Sequence, residues 1–318
     1  MRRIKFRKPY KLKNYRFGLV ALVLVLSIIG ILVVGSANES YQSKQIFGVV
    51  IGLVVMAIVS LIDYVWITNF YWILYGMSVF MLAIVLIPGI GVYVNGARRW
   101  INLGFTNFQP SELAKILLII FFAKFIMKHK EDLSEKQTIL KAVVLIAIPL
   151  ALILKEPNLS TTICTATLFC FLMYVGGLSY RFIGTVLLIT IPVAVIFLSI
   201  VVQPNQKLLD NYQQKRILAW LEPEKYASDE AYQQNNSVMA IGSGQLTGKG
   251  LNNNTTTSVK NGNFILEPQT DFIFAIVGEE LGFVGCCLII ALLLLIVIDC
   301  ILIGTHAQDT AGKVICCG

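Results

Sequence analysis

Eight runs of apolar residues, near positions 17–36, 46–63, 70–88, 112–127, 139–154, 159–178, 182–202 and 272–303, dominate this chain. A helix crosses the hydrocarbon core of a bilayer in about 20 residues. Backbone in lipid must satisfy its own hydrogen bonds, so each run predicts a membrane-spanning helix. The fourth and fifth runs are short for a full span. Composition agrees: of 318 residues, 56% are hydrophobic and 14% charged, where a soluble domain carries roughly 25% charged residues. The expected fold is an all-α polytopic bundle, with residues 17–318 forming one transmembrane domain. No internal repeat of solenoid period is present.

The net charge of +8 is concentrated at one end, because MRRIKFRKPYKLKNYR (1–16) holds eight basic residues and no acid. A nucleic-acid arm would look similar. In front of an apolar run, however, the segment reads as a cytoplasmic anchor obeying the positive-inside rule. With the N-terminus inside, the segments 89–112 and about 203–270 fall outside. The seven cysteines lie in spans or at the C-terminus, which excludes a disulfide framework.

Charge in unexpected places marks the candidate chemistry. Arg98 and Arg99 sit on the outer side, and their forked donors suit phosphate oxygens. Glu112 and Lys115 are three apart on one helix face, so they pair with each other or face the same cavity as the arginines. Asp271, at the mouth of the last span, is either a helix cap or a surface carboxylate able to take a proton from a sugar hydroxyl. Glu279 and Glu280 lie deeper, where a charge costs at least about 2.5 kcal/mol. They point about 100° apart on a helix, so one is expected to pair with a buried cation such as Lys115 or Lys155. GSGQLTGKG (242–250) lacks the spacing, the hydroxyl residue and the preceding strand of a phosphate loop. It reads as a glycine-rich hinge carrying one cation, Lys249. In the outer segment, 206–221 predicts an interfacial helix, and AYQQNNSVMAIGSG predicts a second short helix ended by glycine.

Three stretches, NGARRWINLGFTNFQPSELAK, KRILAWLEPE…YQQNNSVMAIGSGQLTGKGL and EPQTDFIFAIVGEELGFVG, resemble the SEDS glycosyltransferases, the group containing RodA, FtsW and SpoVE. The resemblance runs from about Pro88 to Gly285. It implies a ten-helix bundle that polymerises lipid II on the outer face of the bacterial cytoplasmic membrane, usually with a class B penicillin-binding protein. It implies Asp271, in TDFIFA, as the catalytic base. Arg98, Arg99, Glu112, Lys115 and Lys249 are the candidate substrate-binding residues, the arginines for the lipid pyrophosphate. No nucleotide is needed, the resemblance fixes no cofactor, and a divalent cation such as Mg is admissible. Two departures stand out. EPNLSTT replaces the family's PDLG-type motif, so Asn158 stands where a carboxylate is usual. The chain also ends at Gly318 after eight spans, which reads as a C-terminal truncation. Two other functions fit the residues: a lipid II transporter with Glu279, Glu280 and Lys115 lining its path, or a non-catalytic scaffold for a synthase.

Overall fold

The computed structural model describes residues 15–94, 97–102, 104, 107–203, 206, 211–222, 225, 232–253, 258, 262 and 264–318. The basic segment before residue 15 and much of the polar tract 250–264 lie outside these. The fold is a polytopic bundle of membrane helices carrying one small sheet. In chain order the elements are α1 Phe17–Ala37, α2 Glu39–Ser60, α3 Tyr64–Asn69, α4 Tyr71–Val85, β1 Gly91–Val94, β2 Ala97–Asn102, β3 Asn107–Phe108, α5 Pro110–Lys128, α6 Lys136–Lys155, α7 Leu159–Val175, α8 Tyr180–Val201, α9 Asn211–Leu221, α10 Tyr232–Ser243, α11 Ile273–Thr305 and α12 Thr310–Cys317. The eight apolar runs became α1, α2, α4–α8 and α11. Among the described residues, α1, α2, α6 and α11 are long and apolar enough to cross a membrane by length and composition. The two helices expected in the outer segment are α9 and α10.

The chain forms two compact units. The first contains the described parts of Met1–Val54 and Lys207–Asp299, the second Val55–Gln206 and Cys300–Gly318. In the second unit, Phe121, Phe122 and Phe125 of α5 pack with Tyr75 of α4 and with Ala311 and Val314 of α12. One interaction shows what lipid demands of this core. Pro149 interrupts α6 and has no amide to offer the carbonyl four residues earlier, at Leu145. The Tyr75 hydroxyl donates to that carbonyl at 2.8 Å, so the missing helical bond is replaced from the neighbouring helix. Asp63 caps α3 by accepting from Val65 N. Asp309 caps α12 by accepting from Gly312 N at 2.7 Å. Tyr64 also donates to Asp309 at 3.2 Å, tying α3 to α12.

The first unit is organised by a break in α11. Gly282 has φ 66° and ψ −165° inside an otherwise helical run. The break frees the carbonyls of Glu279 and Glu280 and the amides of Phe283 and Val284. The glycine-rich loop takes all of them. Lys249 N and Gly250 N donate to Glu279 O and Glu280 O at 2.9 Å each; Phe283 N and Val284 N donate to Gln245 O and Leu246 O at 2.8 and 3.1 Å. The loop is thus a splint inserted into a helix. The hinge expected from its glycines is not what the backbone forms. Glycine is required on both sides of the seam: a Cβ on Gly248 would strike the Glu280 carbonyl, and one on Gly282 would strike the Gly248 amide. On the other face of α11, Ile276, Val277 and Cys286 pack against Val33 of α1.

Gly282→Ala places a side chain in a left-handed conformation and into the seam. Each effect costs on the order of 1–3 kcal/mol. The thermal midpoint of the detergent-solubilised chain should fall sharply, with loss of monodisperse protein. Gly76→Ala, in α4 with open space around its Cβ position, should leave it unchanged or slightly higher. Equal behaviour of the two variants would contradict the splint.

Candidate functional site

The candidate residues fall in both units, and each group is built by its own local structure. In the second unit the arginines ride on the sheet. Its order is β1-β2-β3. Val92 pairs with Trp100 and Tyr93 with Arg98, with a bulge between them. Arg99 is therefore the extra residue on β2, and a bulge re-aims the side chains on either side of it. Arg98 lies back along the start of the sheet. Its Nη1 donates to Leu86 O at 3.4 Å, and its stem passes close to Gly91, where a Cβ would meet Arg98 Cγ and the Val85 carbonyl. Arg99 reaches the turn between α6 and α7, where Nε donates to Glu156 O at 3.2 Å and Nη2 to Pro157 O at 2.9 Å. Its Nη1 has no partner among the described residues.

That turn holds a residue the sequence did not single out. Glu156 is fully buried, and neither carboxyl oxygen meets a hydrogen-bond partner. Burial pushes its pKa from 4.5 up to about 8, against the smaller opposing pull of Arg99. At neutral pH the side chain is a neutral acid, so Arg99 is held through backbone carbonyls. The only sequence signal was its place at a helix end beside the substituted EPNL motif. Asn158 has a defined local duty: its side chain caps α7 by accepting from Thr161 N at 3.2 Å, which needs no charge. Lys115 and Glu112 pair with each other at 2.9 Å, the carboxylate largely exposed.

In the first unit, α10 positions the turn that carries Asp271. Asn236 Nδ2 donates to Phe264 O at 2.8 Å, and Gln233 Oε1 accepts from Leu266 N at 2.9 Å. Ile265 is buried with Ala240 and Ala275. The chain then turns through Glu267, whose carbonyl accepts from Thr270 N at 3.2 Å. Asp271 follows, exposed and two residues before α11 begins. Its carboxylate meets no donor or cation among the described residues, so it is not serving as a helix cap.

The deeper acids are fully buried, and they have different partners, as their angular separation required. Glu279 Oε1 is 2.8 Å from Lys249 Nζ. Lys115 and Lys155 were the expected cations; the splint loop supplies Lys249 instead, because it already lies against this turn of α11. Glu280 Oε1 accepts from Ser36 Oγ at 2.5 Å, and the Asn252 amide donates to the same hydroxyl at 3.0 Å. Among the described residues, no three His, Cys, Asp or Glu side chains gather as metal ligands would.

The chain matches the family described as cell cycle protein, FtsW/RodA/SpoVE, over residues 11–318. It is 33% identical over 308 residues to the peptidoglycan glycosyltransferase MrdB of Escherichia coli K12, covering 94% of this chain and 78% of that protein. It is likewise 33% identical to a probable peptidoglycan glycosyltransferase FtsW of Trichlorobacter lovleyi, covering 98% and 82%. Its fold resembles a chain of a peptidoglycan synthase complex coordinating polymerization and crosslinking (TM-score 0.76, 24% identity, 95% and 82% covered). It also resembles the rod shape determining protein RodA of Thermus thermophilus (TM-score 0.66, 22% identity, 97% and 81% covered).

The buried acid gives a pH test. The folded chain keeps a proton on Glu156 that the unfolded chain releases near pH 4.5. Its contribution to stability is therefore full below that pH. It drains away as pH rises toward about 8 and is flat above, at up to roughly 1.4 kcal/mol per unit. Glu156→Gln removes this loss. The variant's thermal midpoint should match wild type near pH 4.5 and exceed it increasingly up to pH 8.5. A difference that does not change with pH would show that Glu156 is not titrating in this window.

Proposed function

The chain belongs to the FtsW/RodA/SpoVE family of cell cycle proteins, and we propose that it is a peptidoglycan glycosyltransferase polymerising lipid II at the outer face of the cytoplasmic membrane, for elongation, division or sporulation. The names of its relatives support the activity. One observation carries the site: Asp271 is exposed and unengaged at the mouth of α11, while the acids deeper in the same helix are committed to Lys249 and Ser36.

In this reading the donor carries its own leaving group, a lipid pyrophosphate, so no nucleotide is needed. The acceptor hydroxyl attacks the donor's anomeric carbon, and Asp271 takes the proton as the oxygen becomes bonded. The α-linked donor becomes a β-linked product by a single inversion, which one base can serve, as in inverting glycosidases. Arg98 and Arg99 offset the charge that develops on the departing pyrophosphate. The carbonyl contacts of Arg99 fix part of its fork in advance and leave Nη1 available for a phosphate oxygen. Glu112, Lys115 and Lys249 are further candidate contacts to the substrate, Lys115 paired with Glu112 and Lys249 with Glu279. The basic N-terminus lies in the cytoplasm, and a class B penicillin-binding protein is the expected partner. A lipid II transporter would need Glu279 and Glu280 free to exchange partners along a path. Their engagement favours the transferase.

Asp271→Asn tests the base. The carboxylate is exposed and holds nothing together, so expression, monodispersity and partner binding should be those of wild type. Polymerisation of labelled lipid II by the reconstituted complex should fall about 10²–10⁴-fold. Asp271→Glu should also be poor, since about 1 Å of misplacement can cost ~10²-fold. An Asn variant that polymerises normally would remove Asp271 from the mechanism.

A further inference from the structure

A second site is built at the other end of the second unit. A cavity of about 510 Å³ opens between the start of α4, the end of α5 and the first turns of α6. Its walls include Trp72, Leu140 and Val144, which are 52%, 64% and 52% exposed. Apolar residues this open are suited to contact with lipid chains. Lys128 and Lys141 also line the cavity. The Lys128 ammonium is fixed by the Tyr71 hydroxyl at 2.8 Å and lies 4.6 Å from that ring's centre. Glu131, Asp132 and Glu135 follow in the next turn. Among the described residues none of them forms an ion pair with either lysine.

We propose that this groove binds one anionic phospholipid. Its layering is that of the ligand: an apolar slot for an acyl chain, with two ammonium groups that form no ion pair among the described residues where the headgroup phosphate would lie. Tyr71 and Trp72 are residue types that favour the interfacial depth between the two. A zwitterionic lipid would fill the slot equally well, but its headgroup brings its own cation to the lysines. Specificity for net negative charge therefore rests on Lys128 and Lys141. On the topology proposed above, the groove belongs to the cytoplasmic leaflet, where basic residues attract anionic lipid. The site uses none of the residues assigned to the transfer reaction, and it does not depend on the transferase reading.

Native mass spectrometry of the full chain, purified with equal phosphatidylglycerol and phosphatidylcholine, tests this. Wild type should retain phosphatidylglycerol preferentially, at one equivalent. Lys128→Gln and Lys141→Gln should each reduce the preference about five-fold, and together abolish it, with gel-filtration profiles unchanged. Lys141→Gln, which disturbs no hydrogen bond, keeps the test available if Lys128→Gln folds poorly. Lys130→Gln, outside the groove, should have no effect. Equal retention of the two lipids, retention of neither, an equal loss in Lys130→Gln, or displacement by an equimolar polyprenyl phosphate would each overturn the proposal.

Discussion

A broken helix inside a bilayer must find new partners for every backbone group it frees, and this constraint organises the first unit. At Gly282 the helix α11 gives up two of its own hydrogen bonds, and the loop after α10 supplies four in their place. Water cannot substitute at that depth, and each orphaned group would cost several kcal/mol. The same demand recurs at Pro149, where the Tyr75 hydroxyl fills the gap. In both places an irregularity is tolerated because another element brings a donor or acceptor to it.

The splint also explains the acids that look misplaced in an apolar span. Inserting the loop puts Lys249 against Glu279, and the following turn brings Asn252 to Ser36, which holds Glu280. A buried charge is tolerable when paired and hydrogen-bonded, and removing one partner is costly. The loop's far end continues from α10, whose Gln233 and Asn236 hold the segment leading to Asp271. Backbone satisfaction, the buried pair and the placement of the exposed carboxylate are thus linked through a single stretch of about 20 residues.

The helices were legible because about 20 consecutive apolar residues leave few alternatives. The catalytic candidate was legible because a carboxylate beside such a run has to be explained. The hairpin was written in the sequence too: Asn95-Gly96 between VYV and ARRW is a strong hairpin signal. The bulge at Arg99, which gives the two arginines different anchors, has no such signal in the sequence. The splint was not legible. Gly282 sits in an apolar span whose only marked feature is the Glu279-Glu280 pair just before it, and the partners of this turn lie 30 or more residues upstream, so no local pattern joins them. Glu156 was hidden for a similar reason: a glutamate at a helix end looks solvated until the packing around it is known.

The most direct test of this account is amide hydrogen exchange on the full chain in lipid nanodiscs, followed across the peptide that spans Gly244–Asn252. A glycine-rich connector on its own would exchange within seconds. Spliced into α11, the amides of Gly248, Lys249 and Gly250 should stay protected as long as those of α11 on either side of Gly282, since both open only when the unit opens. Rapid exchange of those three amides, with α11 still protected, would show that the loop is not bonded to the helix and that the break at Gly282 is satisfied in some other way.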